Sequence, residues 1–585
     1  MAPSANFLAW IAAGCQRVYT AELGLIRLSD GEALTVYLAG DGGYWDGAHY
    51  YFPAISKLPS VERQAQQFDN GQAMITYGSL EFLIDATADV TGGLTMDDLL
   101  TDYAWAGGDI TIRCGARKPS GAVLPWSEWA VVLVGVMEAP KWDDQAVTLG
   151  IKSRDDLLAK TPMPDSILTD TEFPAWETGG YYFAGSLVRP TTANGFIYSA
   201  APTSFMMTGG ATEPAWPTAQ GATVTVADGD WVCCKIPSVT EGKPRPITLG
   251  YCRDIPPTLF EDVQRYYMFH EGIRHQHPRL NGTLKLAFLT ASSGWRFRPT
   301  GHEGDAVNYV ELDGDPVGNP TLTFTPTGMY DPMVYCSLEA IVQQIITDYV
   351  EAYHGVSIDT ELGGPHFLQY FGIHIDSQSN ALDVLSSLTH GTLCMFGFDR
   401  EGVFRLRKLV PPEDATPVME FDDDHDTFTV SAEVEPRIYS QIRIGYGLNY
   451  SKGAEIDSTA DAATRAYGDR DYLWQEVKDD TIKAKFPLAT VAEFGTCGAD
   501  MPTVAYPWLT IAGQLAQEYL DLFGMRRLIL TLETTLPAMT LDLGDVVSVK
   551  RNRWGLDAGK NFTVLSLTEN HQEGRIELRL WGGVS

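Results

Sequence analysis

Three groups of side chains in this chain are of types that could do chemistry. His270, His275 and His277 lie close together with Glu271 among them. Three imidazoles can bind a metal ion, but their spacing matches no common metal motif and Pro278 follows directly. A surface loop is the expected reading. Asp422-Asp423-Asp424-His425-Asp426 is an acidic run. A calcium loop needs alternating oxygen ligands, a turn glycine and a distal glutamate. The alternation and the glycine are missing, so a solvated loop or a negative rim is expected. Tyr198, Trp216 and Trp231 form the third group, an aromatic set that could make a platform for a sugar. In a small β module, tryptophans more often fill the core.

The usual catalytic signatures are missing. There is no Gly-x-Ser-x-Gly elbow and no HExxH. A glycosidase needs two positioned carboxylates, one with a raised pKa, and a sequence with 75 acidic residues cannot single out such a pair. The eight cysteines, Cys15, Cys114, Cys233, Cys234, Cys252, Cys336, Cys394 and Cys497, form no CxxC pair. Free thiols are expected, with no zinc or iron–sulfur site. No cofactor, no metal and no catalytic residue is expected.

The elements that must hold these groups are mostly strands. Gly (56), Tyr (26) and Trp (14) are plentiful in 585 residues, against 42 Lys and Arg. That balance suits many strands and turns, and the length suits several domains. No apolar run approaches a membrane span, so no membrane anchor is expected. Phe7 to Ala13 has no basic residue before it and reads as a short amphipathic helix rather than a signal peptide. The net charge of −33 argues against a sequence-reading DNA binder, which needs a basic face for phosphates. An acidic channel wall, over which DNA slides without sticking, is compatible with it.

Residues 1–161 read as a β unit. Its strands centre on 36–38, 50–52, 82–84, 110–113, 131–134 and 146–151; a helix capped by Thr95 covers 95–100 and a second begins at Ser153. Residues 162–245, poor in charge and rich in Pro, Thr and Gly, read as a small inserted β module. Residues 246–330 read as a central β segment. Residues 331–410 hold a helix with Leu338, Ile341, Val342, Ile345, Ile346 and Tyr349 on one face. A second helix at 381–388 and a hairpin across Asp399–Gly402 follow. In 411–585, the segment Tyr439–Tyr446 is expected to pair with four closing strands through a helix from Gly513 to Phe523. Those strands centre on 528–532, 546–549, 562–565 and 576–580, with turns at 543–545, 555–560 and 573–574. Such a run of strands suggests a small barrel.

Four stretches together carry a family resemblance. They are the first unit closing on Val147-Thr148-Leu149-Gly150-Ile151-Lys152-Ser153-Arg154-Asp155-Asp156-Leu157-Leu158; Pro246-Ile247-Thr248-Leu249-Gly250 with Ile255-Pro256-Pro257 and Tyr266-Tyr267; the 337–410 block ending in Phe398-Asp399-Arg400-Glu401-Gly402-Val403-Phe404-Arg405-Leu406; and the closing segment with Leu543-Gly544-Asp545-Val546-Val547 and Gly559-Lys560-Asn561-Phe562-Thr563-Val564. In this order the chain resembles the baseplate hub, or tail-tip hub, of a long-tailed bacteriophage of the siphovirus type. The resemblance spans about two thirds of the chain and rests on order, since no single motif is diagnostic.

The resemblance implies a mainly β, multi-domain protein with α+β parts, two tube-like β-barrel hub domains and an inserted module. It implies a homotrimer adapting a sixfold tail tube to threefold tip proteins. Its partners would be a distal tail ring protein, a tape-measure protein and a central fibre or tip protein, and phage DNA would pass without specific binding. The location would be the distal end of the virion tail, after assembly in the host cytoplasm. The module's Gly195-Phe196, Glu213-Pro214-Ala215-Trp216-Pro217 and Asp228-Gly229-Asp230-Trp231 resemble a small module repeated in phage tail proteins. That leaves two other readings open: a receptor- or glycan-binding protein acting through 162–245, and a tail-associated wall hydrolase.

Overall fold

A computed structural model describes residues 3–583, apart from 66–70, 84–87, 262–265, 271–284, 287–294, 300–307, 313–321, 324–336, 364–370, 423–426, 453–465, 499–510 and some single positions and pairs. The histidines His275 and His277 and most of the acidic run 422–426 lie outside the described residues, as does much of 246–330.

The first sheet is built on the long strand Gln16–Arg27, which pairs antiparallel with Asp109–Arg117 on one side and Ala33–Ala39 on the other. Alternation sends Leu23, Leu25, Val36, Leu38, Ile110 and Ile112 inward, all buried. The helix Ala5–Ala12 forms as expected, with Ser4 as its N-cap accepting from the Phe7 amide. Thr95 and Asp98 make a reciprocal capping box at the start of Met96–Asp102. The predicted strands at 36–38, 50–52, 110–113 and 131–134 are all present.

In the 331–410 block the helix begins at Leu338 under a Ser337 cap and runs to Gln344. It then widens into a π-helical stretch, Ile345–Glu351. The extra residue per turn rotates the apolar face by one position. Val350 is therefore fully buried, while Tyr349, expected on the buried face, is only half-buried. The second helix, Ala381–Thr389, buries Leu385 and Leu388 as its spacing predicts. The hairpin Cys394–Phe398 with Phe404–Lys408 follows.

The closing strands lie where expected, with two corrections. The stretch 555–560 is not a turn. The strand Leu556–Asn570 already begins there, because Leu556 is fully buried and pairs with Arg551; the reversal lies just before it, at Trp554 and Gly555, both with positive φ. And Tyr439–Tyr446 does not pair with the closing strands. It is the middle of a separate sheet, antiparallel to Leu473–Lys478 and parallel to Thr490–Gly495. Its inward Ile442 and Ile444 pack in the same core as the helix Ile511–Phe523.

The architecture is mainly β and multi-domain, as anticipated, but the sheets are open among the described residues rather than closed into barrels. The first sheet ends on two strands of two residues each, Ile151–Lys152 and Tyr44–Trp45, which do not meet. A further departure concerns the hairpin Val61–Ala65 with Ala73–Tyr77. It leaves the first unit and adds to the closing sheet, Val61–Gln64 pairing with Ser566–Glu569.

Two main apolar cores result. One joins the first sheet to the inner face of the closing sheet, from Val18 and Leu23 through Leu530, Val564 and Leu578. The other gathers the 338–409 helices and hairpin with Ile442, Ile444, Leu515, Tyr519 and Trp581. Residues from 411–585 are thus divided between both.

Candidate functional site: the joint and the inserted module

The hairpin from the first unit carries Arg63 into the closing sheet. Arg63 sits at an inward position of Val61–Ala65, between exposed Glu62 and Gln64. Its guanidinium is 1% exposed and donates to Asp542 Oδ1 at 2.7 Å and to Glu569 Oε1 at 2.6 Å. Arg400, from the 331–410 hairpin turn, reaches the same Glu569 Oε1 at 2.9 Å. Both arginines also donate to the Leu541 carbonyl. His571 Nε2 lies 3.0 Å from Glu569 Oε2. Burial pushes the Glu569 carboxyl up, but Arg400 and Arg63 together, with His571, outweigh it and hold it far below the ordinary range. Asp542 is held low in the same way: burial opposes, and Arg63, Arg407 and Arg400 prevail.

A second tier surrounds this centre. Arg407 donates to Asp545 Oδ1 at 2.8 Å and to the Leu543 carbonyl at 2.9 Å. Arg405 bonds Asp399 at 2.7 Å and also meets Glu361. Asp399 in turn accepts from the amides of Glu401 and Val403, which fixes the hairpin turn that presents Arg400. Asp155 closes the group from the helix Asp155–Lys160. Desolvation pushes its carboxyl up to about 6, against hydrogen bonds from Ser153 and from the backbone of Phe398 and Ile75. Backbones meet closely here. The Phe396 amide donates to Gly71 O at 2.6 Å, and a Cβ on Gly71 would collide with the Thr389 side chain. Gly71 also has φ +72°, so glycine is required on both counts.

A buried arginine joins the closing sheet to the second core. Arg527, 1% exposed, makes a two-point ion pair with Glu413 at 2.8 and 3.0 Å. Its guanidinium lies 4.5 Å over the Trp581 ring.

This arrangement fixes segments of the chain to one another. The Glu569 carboxylate is fully buried and committed to two guanidiniums. A cleft of about 660 Å³ opens beside the joint, lined by Cys15, Arg17, Ser56, Thr535 and residues 571–574. Arg17 spans part of it, donating to the His571 carbonyl at 2.6 Å. Among the described residues no group of metal-ligating side chains is found, and no helix is long and apolar enough to cross a membrane.

Solved structures with low similarity to this chain include two tail proteins and a secretion-system component. One is a tail protein from Neisseria meningitidis, 8% identical, with 96% of each chain covered and a TM-score of 0.35. Another is the 43 kDa tail protein of prophage MuSo2 from Shewanella oneidensis, also 8% identical over 96% of each chain, with a TM-score of 0.34. A third is an E. coli component of the type VI secretion system, described as similar to T4 bacteriophage tail proteins gp27 and gp5. It is 10% identical, covers 59% of this chain and 76% of its own, and has a TM-score of 0.21. Scores of this size do not establish a shared fold. No family model and no curated protein matches the sequence.

The sugar-platform residues fall inside the module's core. Tyr198 and Trp231 are 0% exposed, and Trp216 packs against both, with ring centroids 4.3 and 5.6 Å away. The Tyr198 hydroxyl donates to the Pro217 carbonyl at 2.7 Å, and the Trp216 indole donates to Glu213. Only half-buried Trp216 keeps a surface for contact. The module's exposed aromatic surface lies elsewhere, on the ribbon Tyr181–Phe183 with Met206–Thr208. Tyr182 and Met207 point into the core, so the alternate positions Tyr181, Phe183 and Met206 face outward, and Phe205 crosses Phe183 edge-on. Phe205 is 79% exposed.

The joint residues had a signal in the sequence. Glu569 and His571 continue, at period two, the inward row that Leu567 belongs to. A charge at an inward strand position marks a buried pair, although its partners could not be named from spacing.

Proposed function

We propose that this chain is a structural, non-enzymatic hub of a phage tail tip, acting as a homotrimer that adapts the sixfold tail tube to threefold tip or fibre proteins. The observation that supports this best is the joint. Segments about 500 residues apart share one sheet and one core, pinned by Arg63, Arg400 and Glu569. Such a frame transmits load between rings rather than cycling through a reaction. The order of segments that resembles baseplate hubs points the same way. The five units at 1–161, 162–245, 246–330, 331–410 and 411–585 are proposed as the hub's parts. Its neighbours would be a distal tail ring protein, a tape-measure protein and a central fibre or tip protein. The chain's charge of −33 suits an axis that DNA crosses without sticking. Light scattering on the purified chain, alone and with tail partners, tests the reading. A trimer is expected in at least one of the two; a monomer in both overturns it.

A second reading, receptor contact through 162–245, is favoured by the exposed Tyr181, Phe205 and Met206 around half-buried Phe183. Deleting the module separates the two. Tails that assemble but fail to adsorb support receptor contact, and tails that fail to form make the module part of the frame.

A further inference from the structure

The first sheet has a second face. Glu22 stands directly opposite Tyr37 on one neighbouring strand and Thr111 on the other, and Thr20 stands opposite Arg113. Directly opposed residues share a face, so Glu22, Tyr37 and Arg113 lie on the side away from Leu23 and Leu25. The short hairpin of Tyr44–Trp45 with Tyr50–Pro53 and the turn Trp126–Glu128 pack over this side. Aromatic rings gather there. Tyr51, 1% exposed, is the floor: the ring centroids of Tyr37, Trp126 and Tyr44 lie 5.1, 5.2 and 6.1 Å from its own. Those three rings are half-buried, so each keeps surface in water. They are also braced. His49 stacks on Tyr37 at 4.4 Å, and Asp46 fixes that loop by accepting from the amides of Ala48 and His49. Tyr44 stacks on Trp126 at 5.7 Å.

A loosely committed ion pair lies among these rings. Glu22 accepts from the Tyr51 hydroxyl at 3.0 Å. Arg113 approaches Glu22 Oε1 only to 3.5 Å, and its guanidinium sits 5.6 Å over the Trp126 ring. Its Nε is buried with no hydrogen-bond partner among the described residues. Arg63, Arg400 and Arg527, by contrast, each hold a carboxylate oxygen within 2.9 Å. The side chains of Glu22 and Arg113 are 28% and 30% exposed, so a bound molecule can reach both.

We infer that this face of the first sheet binds a neutral saccharide. Small-molecule sites set a few polar groups among apolar and aromatic walls. A pyranose has a C–H face that packs on rings and hydroxyls that both donate and accept. The rings of Tyr37 and Trp126 meet the C–H face, Arg113 supplies donors, and Glu22 beside it supplies acceptors. An apolar side chain of a protein partner would leave Arg113 and Glu22 unmatched, which costs binding energy. An anionic ligand would meet Glu22 and the field of a chain with net charge −33. The site lies outside 162–245 and does not depend on the tail-hub reading.

The test uses the full chain with three neutral disaccharides (maltose, cellobiose and lactose), with glucuronate as an acidic sugar and glycerol as a polyol without a ring. The expected result is saturable binding of at least one disaccharide, read as saturation transfer from the protein to its ring C–H protons. Arg113→Gln should weaken that binding at least tenfold with melting unchanged. Tyr37→Leu should do the same, and keeps the test decisive if the first variant fails to fold. The proposal is overturned if none of the three disaccharides binds, if either folded variant binds as well as the parent, or if glucuronate or glycerol binds as tightly. Assembly of copies over this face would also abolish binding and overturn it, whereas light scattering reports the oligomeric state separately.

Discussion

The joint and the inserted module are both buried constructions, yet they are built from opposite materials. The joint uses charges: Arg63, Arg400, Asp542 and Glu569 come from three distant parts of the chain. The module uses aromatics: Trp176, Tyr182, Tyr198 and Trp231 all lie within one stretch. Apolar packing is non-directional and tolerates local variation. A buried ion pair holds only in one geometry, and removing one partner strands the other in a low-dielectric site. Damage at the joint should therefore spread through both main cores, whereas damage in the module should stay there.

The sharpest way to break this contrast is Glu569→Ala. It leaves Arg63 and Arg400 buried without their shared acceptor and should cost about 3–5 kcal/mol. Thermal unfolding of the whole chain would show it as a lower transition for the frame. A loss confined to one local segment would contradict the idea of a shared joint.

The pH dependence gives a second, smaller effect. The Asp155 carboxyl is pushed up to about 6 from an ordinary 3.8. A raised acid contributes stability that is complete below about 4 and is lost as pH rises through 6. At about 1.4 kcal/mol per pH unit the loss is roughly 3 kcal/mol. Asp155→Asn should remove that decline, so the variant gains on the parent between pH 4 and 7 in denaturant titrations. Glu569 and Asp542, held low, act in the opposite sense: their contribution is present above the ordinary carboxylate range and is lost as pH falls below it. Acid should loosen the frame even where Asp155 favours it.

Within the module, Trp216→Ala removes a half-buried ring packed against Tyr198 and edge-on to Trp231 and should cost about 2 kcal/mol. Amide exchange would show faster opening in 173–234 and no change at Glu569. The smallest effect belongs to Phe205→Ser. An exposed side chain should alter stability by under about 0.5 kcal/mol, and if the ribbon contacts a receptor, adsorption should fall while melting stays put.

Much of the local structure was legible in the residues. The Thr95 cap and the buried row Leu338–Ile346 each follow from the sequence, because hydrogen bonds and periodicity over a few residues settle them. The module's tryptophans were legible in their more ordinary role, as core. The π-helical widening at Ile345–Glu351 was not, since no local residue type demands the extra residue. Nor was the separate sheet of Tyr439–Tyr446: its alternation matches any partner strand, and only the helix Ile511–Phe523 packed behind it decides which.

The sequence by itself determined where many of the strands and helices lie and which of their side chains alternate inward. These depend on neighbours within a few residues. Only the tertiary structure decided that the strands 61–65 and 73–77 leave their own unit for the closing sheet, that Arg63 and Arg400 converge on one carboxylate, and that the sheets stay open among the described residues. Pairing a strand with one of many equivalent edges, and a charge with one of many opposite charges, depends on long-range geometry that local pattern leaves undetermined.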